Sequence, residues 1–329
     1  MYQKFLIFCF TLLSTVNTSY CCNKEKLIKD KHIRLITIIE ELSVFDHIFP
    51  IVLLHGITSD HTELTPVENW LKENLPNRVY NLEIGNGKSD SIFKTMDWQL
   101  AQLCNTIYSI DDLKDGFHFI GLSQGGLLAR GYVEKCNIYP VMNLITWVTP
   151  HAGVYGFGDV DGMDINFNKI YTPLYQSIYS FAGYWKDPYI YDTYLKEASY
   201  LPNLNNERQN FIQYSNYFEF RNNIDNMKSL KNFVMIWSPN DDVLNPPQSG
   251  KFGFYSIQNN ATNTSSNTNT ILPIIDLFDT VQYKEDWLGL RTLNESERLH
   301  ILETNCTHRG HKTIECFPQL ESLTFQFLM

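Results

Sequence analysis

The stretch that most constrains this chain is Gly121-Leu122-Ser123-Gln124-Gly125, a match to the pattern G-x-S-x-G. Its surroundings make the match informative. An apolar run, Phe117 to Ile120, precedes it, and a helix-like segment, Gly126 to Val133, follows. Strand, tight turn and helix in that order throw a serine side chain out at the strand's carboxyl end. The flanking glycines are needed because no side chain fits beside so sharp a bend.

The rest of the chain supplies a setting for that turn. Phe49 to Leu54, Arg78 to Ile84, Val141 to Val148, Phe233 to Trp237 and Leu299 to Glu303 read as further strands. Leu64 to Leu75 has helical spacing. Residues 91–110 predict one long amphipathic helix, with Ile92, Met96, Leu100, Leu103 and Ile107 on one face. Phe317 to Leu328 includes a closing helix. Such alternation predicts an α/β fold, with a mostly parallel central sheet and helices on both faces. From residue 151 to about 230 the alternation lapses into sequence rich in Gly, Tyr, Asn and Pro. That segment has helix candidates but no convincing strand, and reads as an inserted helical cap. Residues 23–47 are charged and mixed, consistent with an edge strand or a short helix. Residues 258–270 are polar and low in complexity, a surface loop.

A hydrophobic content of 43% over 329 residues can bury a sizeable core. One domain with its cap, residues 21–329, is the natural count. The net charge of -10 and the lack of a basic stripe exclude nucleic acid as a main partner. The 19 Tyr, 21 Phe and 6 Trp would suit an apolar ligand, although large cores use aromatics too. Lys4 followed by the apolar run Phe5 to Val16 reads as a secretory signal over residues 1–20, cleaved near residues 18–22. The run is shorter than the ~20 residues of a membrane-spanning helix, and no other stretch approaches one. Of seven Cys, six remain once Cys9 leaves with the signal, an even number that suits an oxidising compartment. Cys104 and Cys136 flank the serine turn, and Cys306 and Cys316 lie close together, which leaves Cys21 and Cys22 unassigned. Glycosylation sequons fall at Asn260, Asn263, Asn294 and Asn305.

A serine hydroxyl is a poor nucleophile until a base takes its proton. The base is usually a histidine oriented by a carboxylate, and on an α/β-hydrolase scaffold the chain order is Ser, acid, His. Ser123 is the nucleophile in this reading. Asp241 and Asp242 follow the strand ending at Trp237, and Asp279 is a further candidate acid. His308 follows the last strand, with His311, His300 and His151 as rivals. The oxyanion hole should use two backbone N–H groups. One belongs to Gln124. The other is Ile57, in the His55-Gly56-Ile57 turn after the first clear strand. Neither a metal nor an organic cofactor is required.

From about Phe49 onward the chain resembles the palmitoyl-protein thioesterases, a branch of the α/β-hydrolases. Gly121 to Gly126 looks like the family's G-x-S-Q-G-G turn, and His151 to Gly156 like its H-x-G-V-F/Y-G segment. Tyr184 to Pro188 is similar to a Y-W-H-D-P motif, and Asn206-Glu207-Arg208 to the N-E-R or G-E-R that follows. Phe252 to Tyr255 matches F-G-F-Y, and Leu288 to Leu293 matches L-G-L-K-x-L/M. Asn240 to Pro246 parallels N-D-x-aliphatic-aliphatic-x-P, which implies Asp241 as the acid, and Cys306-Thr307-His308 parallels the family's histidine loop. Three departures stand out. Lys186 replaces the common His, the loop after Gly56 reads Ile-Thr-Ser-Asp-His, and residues 258–270 look inserted.

The resemblance implies a Ser123–Asp241–His308 triad and a disulfide between Cys104 and Cys136. It implies a monomeric serine hydrolase of long-chain acyl thioesters, acting on S-acylated protein, peptide or acyl-CoA. It implies a glycoprotein of the secretory pathway, lysosomal or secreted. An acyl groove is expected between the sheet's carboxyl edge and the 151–230 insertion. Two alternatives are a secreted lipase or esterase acting on oxygen esters, and an inactive hydrolase-fold protein that binds acyl chains. An unperturbed histidine is mostly protonated at pH 5, so activity there should lie below its neutral maximum.

Overall fold

A computed structural model describes residues 48–156, 165–208, 217–258 and 272–329. The signal segment, residues 23–47, Cys9, Cys21, Cys22, Asn260 and Asn263 lie outside the described residues, as does the polar stretch from residue 259.

The chain enters the sheet with β1 (Ile51–Leu54), crosses over α1 (Thr65–Asn74) and returns as β2 (Val79–Leu82). Then come α2 (Lys88–Phe93), α3 (Met96–Tyr108), β3 (Phe117–Leu122), α4 (Gln124–Lys135) and β4 (Val141–Trp147). The segment before β5 (Asn232–Trp237) carries α5 (Pro173–Ile178), a 3-10 turn at Ser180–Tyr184, α6 (Tyr191–Glu197), α7 (Leu201–Leu204) and α8 (Tyr217–Lys228). Among its described residues it holds no strand, only a single bridge between Val154 and Trp185. α8 packs against α4, and Asn226 Nδ2 donates to the Glu134 carbonyl at 3.1 Å.

Between β5 and β8 (Leu299–Glu303) lie the short strands β6 (Phe254–Tyr255) and β7 (Ile274–Ile275), which pair antiparallel, then α9 (Val281–Lys284) and α10 (Leu290–Glu295). α11 (Phe317–Thr324) closes the chain. This small second sheet was not foreseen in the F-G-F-Y segment.

The main sheet has six strands in the order β2-β1-β3-β4-β5-β8, and every pairing is parallel. Its pleat divides the core in two. Ile51, Leu53, Ile120, Leu122, Ile145, Trp147, Val234 and Ile236 pack with Val67, Trp70 and Leu71 of α1 and with Phe317 and Leu320 of α11. Val52, Leu54, Phe117, Phe119, Leu144, Phe233 and Met235 face the other way, toward α3 and α4. Covering both faces is what demands strands that are apolar at every position. The molecule therefore has the α/β-hydrolase fold, with helices on both faces of a parallel sheet.

The predicted long helix over 91–110 is two helices. Lys94 is extended at φ -122°, and the Thr95 side chain caps α3 by accepting the Trp98 N–H. A threonine at a helix N-cap satisfies a backbone donor that continuing the helix would have satisfied otherwise. The expected buried face survives the break, since Met96, Leu100, Leu103 and Ile107 are all buried.

After β1 the chain places β2 on one side of it and β3 on the other. The crevice beyond the carboxyl ends of β1 and β3 is therefore the topological switch point, where open α/β sheets collect ligands.

Candidate active site

Ser123 sits at that switch point, between the end of β3 and the start of α4. Its backbone has φ 55° and ψ -124°, a region that residues with a Cβ seldom enter. The surroundings hold it there. The Ser123 N–H donates to the Trp147 carbonyl at 2.9 Å, and the Gly126 N–H returns to the Ser123 carbonyl at 3.0 Å. A Cβ at Gly121 would lie 2.6 Å from the Gly126 Cα, and one at Gly125 would lie 2.4 Å from the His55 carbonyl oxygen. Both glycines are thus required by backbone packed on backbone. The disulfide Cys104–Cys136 ties α3 to the residue that ends α4, closing a span of 32 residues around the turn.

The structure brings one candidate acid and one candidate base together. His308 Nδ1 donates to Asp241 Oδ2 at 2.7 Å. The other oxygen, Oδ1, accepts the backbone N–H groups of Val243 and Leu244 at 2.9 and 2.8 Å. That leaves the carboxylate aimed at one ring nitrogen. Asp242 instead accepts the backbone N–H of His308 at 3.0 Å. Asp279 lies apart, on the wall of a second cavity.

The rival histidines have other partners. His151 is fully buried, meets Thr146 Oγ1 through Nε2 and stacks on Phe252 with ring centroids 4.7 Å apart. Burial holds its ring well below the ordinary range. His300 bonds Asn232 Oδ1 from within β8. His311 bonds Thr304 Oγ1 and the Thr307 carbonyl, so it braces the loop that carries His308.

Ser123 and His308 line one pocket of about 300 Å³. Gly56 and Ile57 from the loop after β1 form its floor with Leu122. Pro150, Val243 and Leu244 wall it, and Tyr184 comes in from the 151–230 insertion. Lys88, Arg309, Lys312 and Glu63 also border it, and Lys312 is paired with Glu63.

The Gln124 side chain, singled out above only as a family marker, has a position of its own. Its Nε2 donates to the Ser91 carbonyl and to Gln99 Oε1, at 2.9 and 3.1 Å. Its Oε1 accepts the Tyr184 hydroxyl at 3.0 Å. Ser180 Oγ donates to the same Ser91 carbonyl at 2.8 Å. One buried glutamine thus locks the serine turn to α2, α3 and the inserted segment together.

Lys186 is buried, and its ammonium lies 2.7 Å from Glu207 Oε1. Tyr194 donates to the other Glu207 oxygen at 2.5 Å. The family departure at Lys186 therefore meets its charge partner within the N-E-R motif. Both residues line the second cavity, of about 390 Å³, rather than the pocket of Ser123. Cys306 and Cys316 form the second disulfide. Of the described sequons, Asn305 is exposed, whereas Asn294 is half-buried and its amide donates to Tyr283 Oη at 2.7 Å. No described helix is long and apolar enough to cross a membrane.

Known proteins of similar sequence bear on this geometry. A family model described as palmitoyl protein thioesterase matches residues 50–308. Palmitoyl-protein thioesterase 3 of Dictyostelium discoideum is 38% identical over 284 residues, spanning 85% of this chain and 92% of its own length. Palmitoyl-protein thioesterase 1 of Caenorhabditis elegans is 29% identical, over 79% of this chain and 86% of its own. A lysosomal thioesterase PPT2 homolog of Drosophila melanogaster is 31% identical, over 77% of this chain and 83% of its own.

Proposed function

The chain belongs to the palmitoyl protein thioesterase family, and we propose that it hydrolyses long-chain acyl thioesters through an acyl-serine intermediate. The observation that carries this reading is the His308–Asp241 hydrogen bond of 2.7 Å, on a base that shares its pocket with Ser123.

His308 Nε2 takes the proton from Ser123 Oγ as the oxygen attacks the thioester carbonyl. Asp241 holds the ring by Nδ1 and stabilises the charge it gains. The backbone N–H groups of Ile57 and Gln124 receive the oxyanion. Collapse of the tetrahedral intermediate breaks the carbon–sulfur bond. The thiolate leaves easily, since a cysteine thiol has a pKa of about 8.5, and it departs as thiol with the proton from His308. Water, deprotonated by the same ring, then attacks the acyl-serine ester and releases the fatty acid. Ester hydrolysis is the slow step in this scheme.

Tyr184, Val243, Leu244 and Ile57 offer the acyl chain apolar contact near the serine. The two disulfides fit an oxidising compartment, and the lysosome is the destination we propose.

Hydrolysis of an acyl-thioester series by purified protein, with Ser123→Ala as control, tests the reading. We expect turnover with long chains, a burst of free thiol equal to enzyme, and none with Ser123→Ala. A fatty oxygen ester cleaved faster than its matched thioester would favour a lipase or esterase instead. Activity retained by Ser123→Ala would end the proposal.

A further inference from the structure

We infer that Glu83 is a positioning residue for the oxyanion hole, acting through the His55 ring on the peptide between Gly56 and Ile57. The inference rests on the acyl-serine mechanism above and assigns work to residues which that mechanism does not use.

The sheet brings the two side chains together. β1 and β2 pair in parallel with Leu54 opposite Leu82, so the next residues, His55 and Glu83, leave the sheet side by side. Glu83 Oε1 accepts from His55 Nε2 at 2.9 Å. His55 is buried, and its Nδ1 lies 2.9 Å from the Gly56 carbonyl oxygen. A carboxylate and a carbonyl are acceptors only, so the ring satisfies both by donating from both nitrogens. Glu83 thereby fixes the ring whose other nitrogen holds the Gly56 carbonyl.

The Gly56 carbonyl and the Ile57 N–H belong to one planar peptide. In a trans peptide these two groups point in opposite directions. Drawing the carbonyl onto His55 therefore turns the Ile57 N–H the other way. Gly56 lies against the nucleophile, since a Cβ built on it would come within 3.0 Å of Ser123 Cβ. The loop needs such a hold, because Thr58 sits at φ 58°. The second Glu83 oxygen, Oε2, accepts both the backbone N–H and Nδ1 of His61, at 3.0 and 2.7 Å. One carboxylate thus clamps both ends of the loop from His55 to His61.

Burial alone would raise the Glu83 carboxyl, but hydrogen bonds from His55 and His61 outweigh it and hold the group down at about 2. The clamp stays ionised in an acidic compartment.

Glu83→Gln keeps the shape and removes the charge. With a long-chain acyl thioester we expect kcat to fall by up to about 100-fold, the low end of what losing one oxyanion-hole donor outright costs, with KM little changed. Affinity for a trifluoromethyl ketone analogue of the tetrahedral intermediate should fall by the same factor. His55→Gln should give matching losses, and the double variant should lose no more than either alone. If Glu83→Gln does not fold, His55→Gln decides in the same assays. A folded variant with kcat unchanged would overturn the inference, as would a loss of kcat without loss of analogue affinity. Ser123→Ala assayed beside it keeps the two questions apart. Activity surviving there defeats the acyl-serine mechanism itself, whatever Glu83→Gln does.

Discussion

Asp242 Oδ1 accepts the backbone N–H of His308 at 3.0 Å, while the adjacent Asp241 takes the ring of the same histidine. Two neighbouring carboxylates thus divide the work of holding one histidine. Asp241 fixes the tautomer, and Asp242 fixes the main chain from which the ring hangs. Asp241→Asn should lower kcat on the order of 10⁴-fold, as expected when the ring loses its carboxylate and takes the wrong tautomer. Asp242→Asn should cost only about tenfold, because an amide oxygen can still accept the N–H, with a net loss of about 1 kcal/mol. Steady-state rates on an acyl thioester would check both. Equal losses in the two variants would refute the division.

The second disulfide makes a related prediction. Cys306–Cys316 closes a short loop, 10 residues apart, and His308 lies inside it. Cys104–Cys136 closes the longer span of 32 and joins α3 to the end of α4. The chain-entropy model gives the longer loop somewhat more stabilisation, about 3.7 against about 2.7 kcal/mol. Replacing both members of Cys104–Cys136 by Ala should therefore cost more in melting temperature. Replacing both members of Cys306–Cys316 should cost more in kcat at a temperature where each variant is folded. The reverse order of kcat losses would show that the His308 loop is held by His311 and Asp242 alone.

Much of this site was legible before any coordinates, for identifiable reasons. Apolar runs such as Phe117 to Ile120 and Phe233 to Trp237 can only be strands covered on both faces, and the polar residues beyond them then fall at one sheet edge. That logic put Ser123, the Asp241-Asp242 pair and His308 at one edge. It could not separate Asp241 from Asp242, because the backbone N–H groups of Val243 and Leu244, not residue type, aim the carboxylate. The His55–Glu83 pair depends on the register of β1 against β2, which single strands do not reveal. The break at Lys94 had a signal in Thr95, a good cap, but the amphipathic spacing runs through it and outweighed it. Lys186 read as a departure because the family commonly has His there, and its partner Glu207 could not be paired with it from sequence, being 21 residues away.

Tyr184 lines the pocket of Ser123 and donates to Gln124 Oε1, so it could serve either the chemistry or the docking of the inserted segment. Its place behind the turn favours docking. Tyr184→Phe should lower stability by about 1–2 kcal/mol, the cost of leaving a buried amide oxygen short of a donor. kcat/KM should stay within about threefold, since the ring that walls the pocket remains; a loss of that size is worth less than about 1 kcal/mol of transition-state stabilisation. Urea unfolding and steady-state kinetics would measure the two. A hundredfold fall in kcat with normal stability would assign the hydroxyl to the reaction.

Part of the acid sensitivity should come from His118, buried in β3 and far from the chemistry. Burial is the main cause, with Lys231 adding to it, that pushes its ring down from 6.5 to about 4. Asn143 Nδ2 donates to His118 Nδ1 at 3.1 Å, which requires the ring to be neutral. Between these two values the unfolded chain binds a proton that the folded chain refuses. The contribution is complete above pH 6.5 and is lost as pH falls toward 4. At pH 5 the loss from this one group is about 2 kcal/mol. Glu83, held near 2, loses almost nothing between pH 7 and pH 5, since its own contribution fades only as pH falls below 4.5. His118→Gln keeps an acceptor for Asn143 and removes the titration. Urea unfolding at pH 7 and pH 5 should show the variant losing about 2 kcal/mol less than wild type on acidification. An identical acid loss in both proteins would place the sensitivity elsewhere.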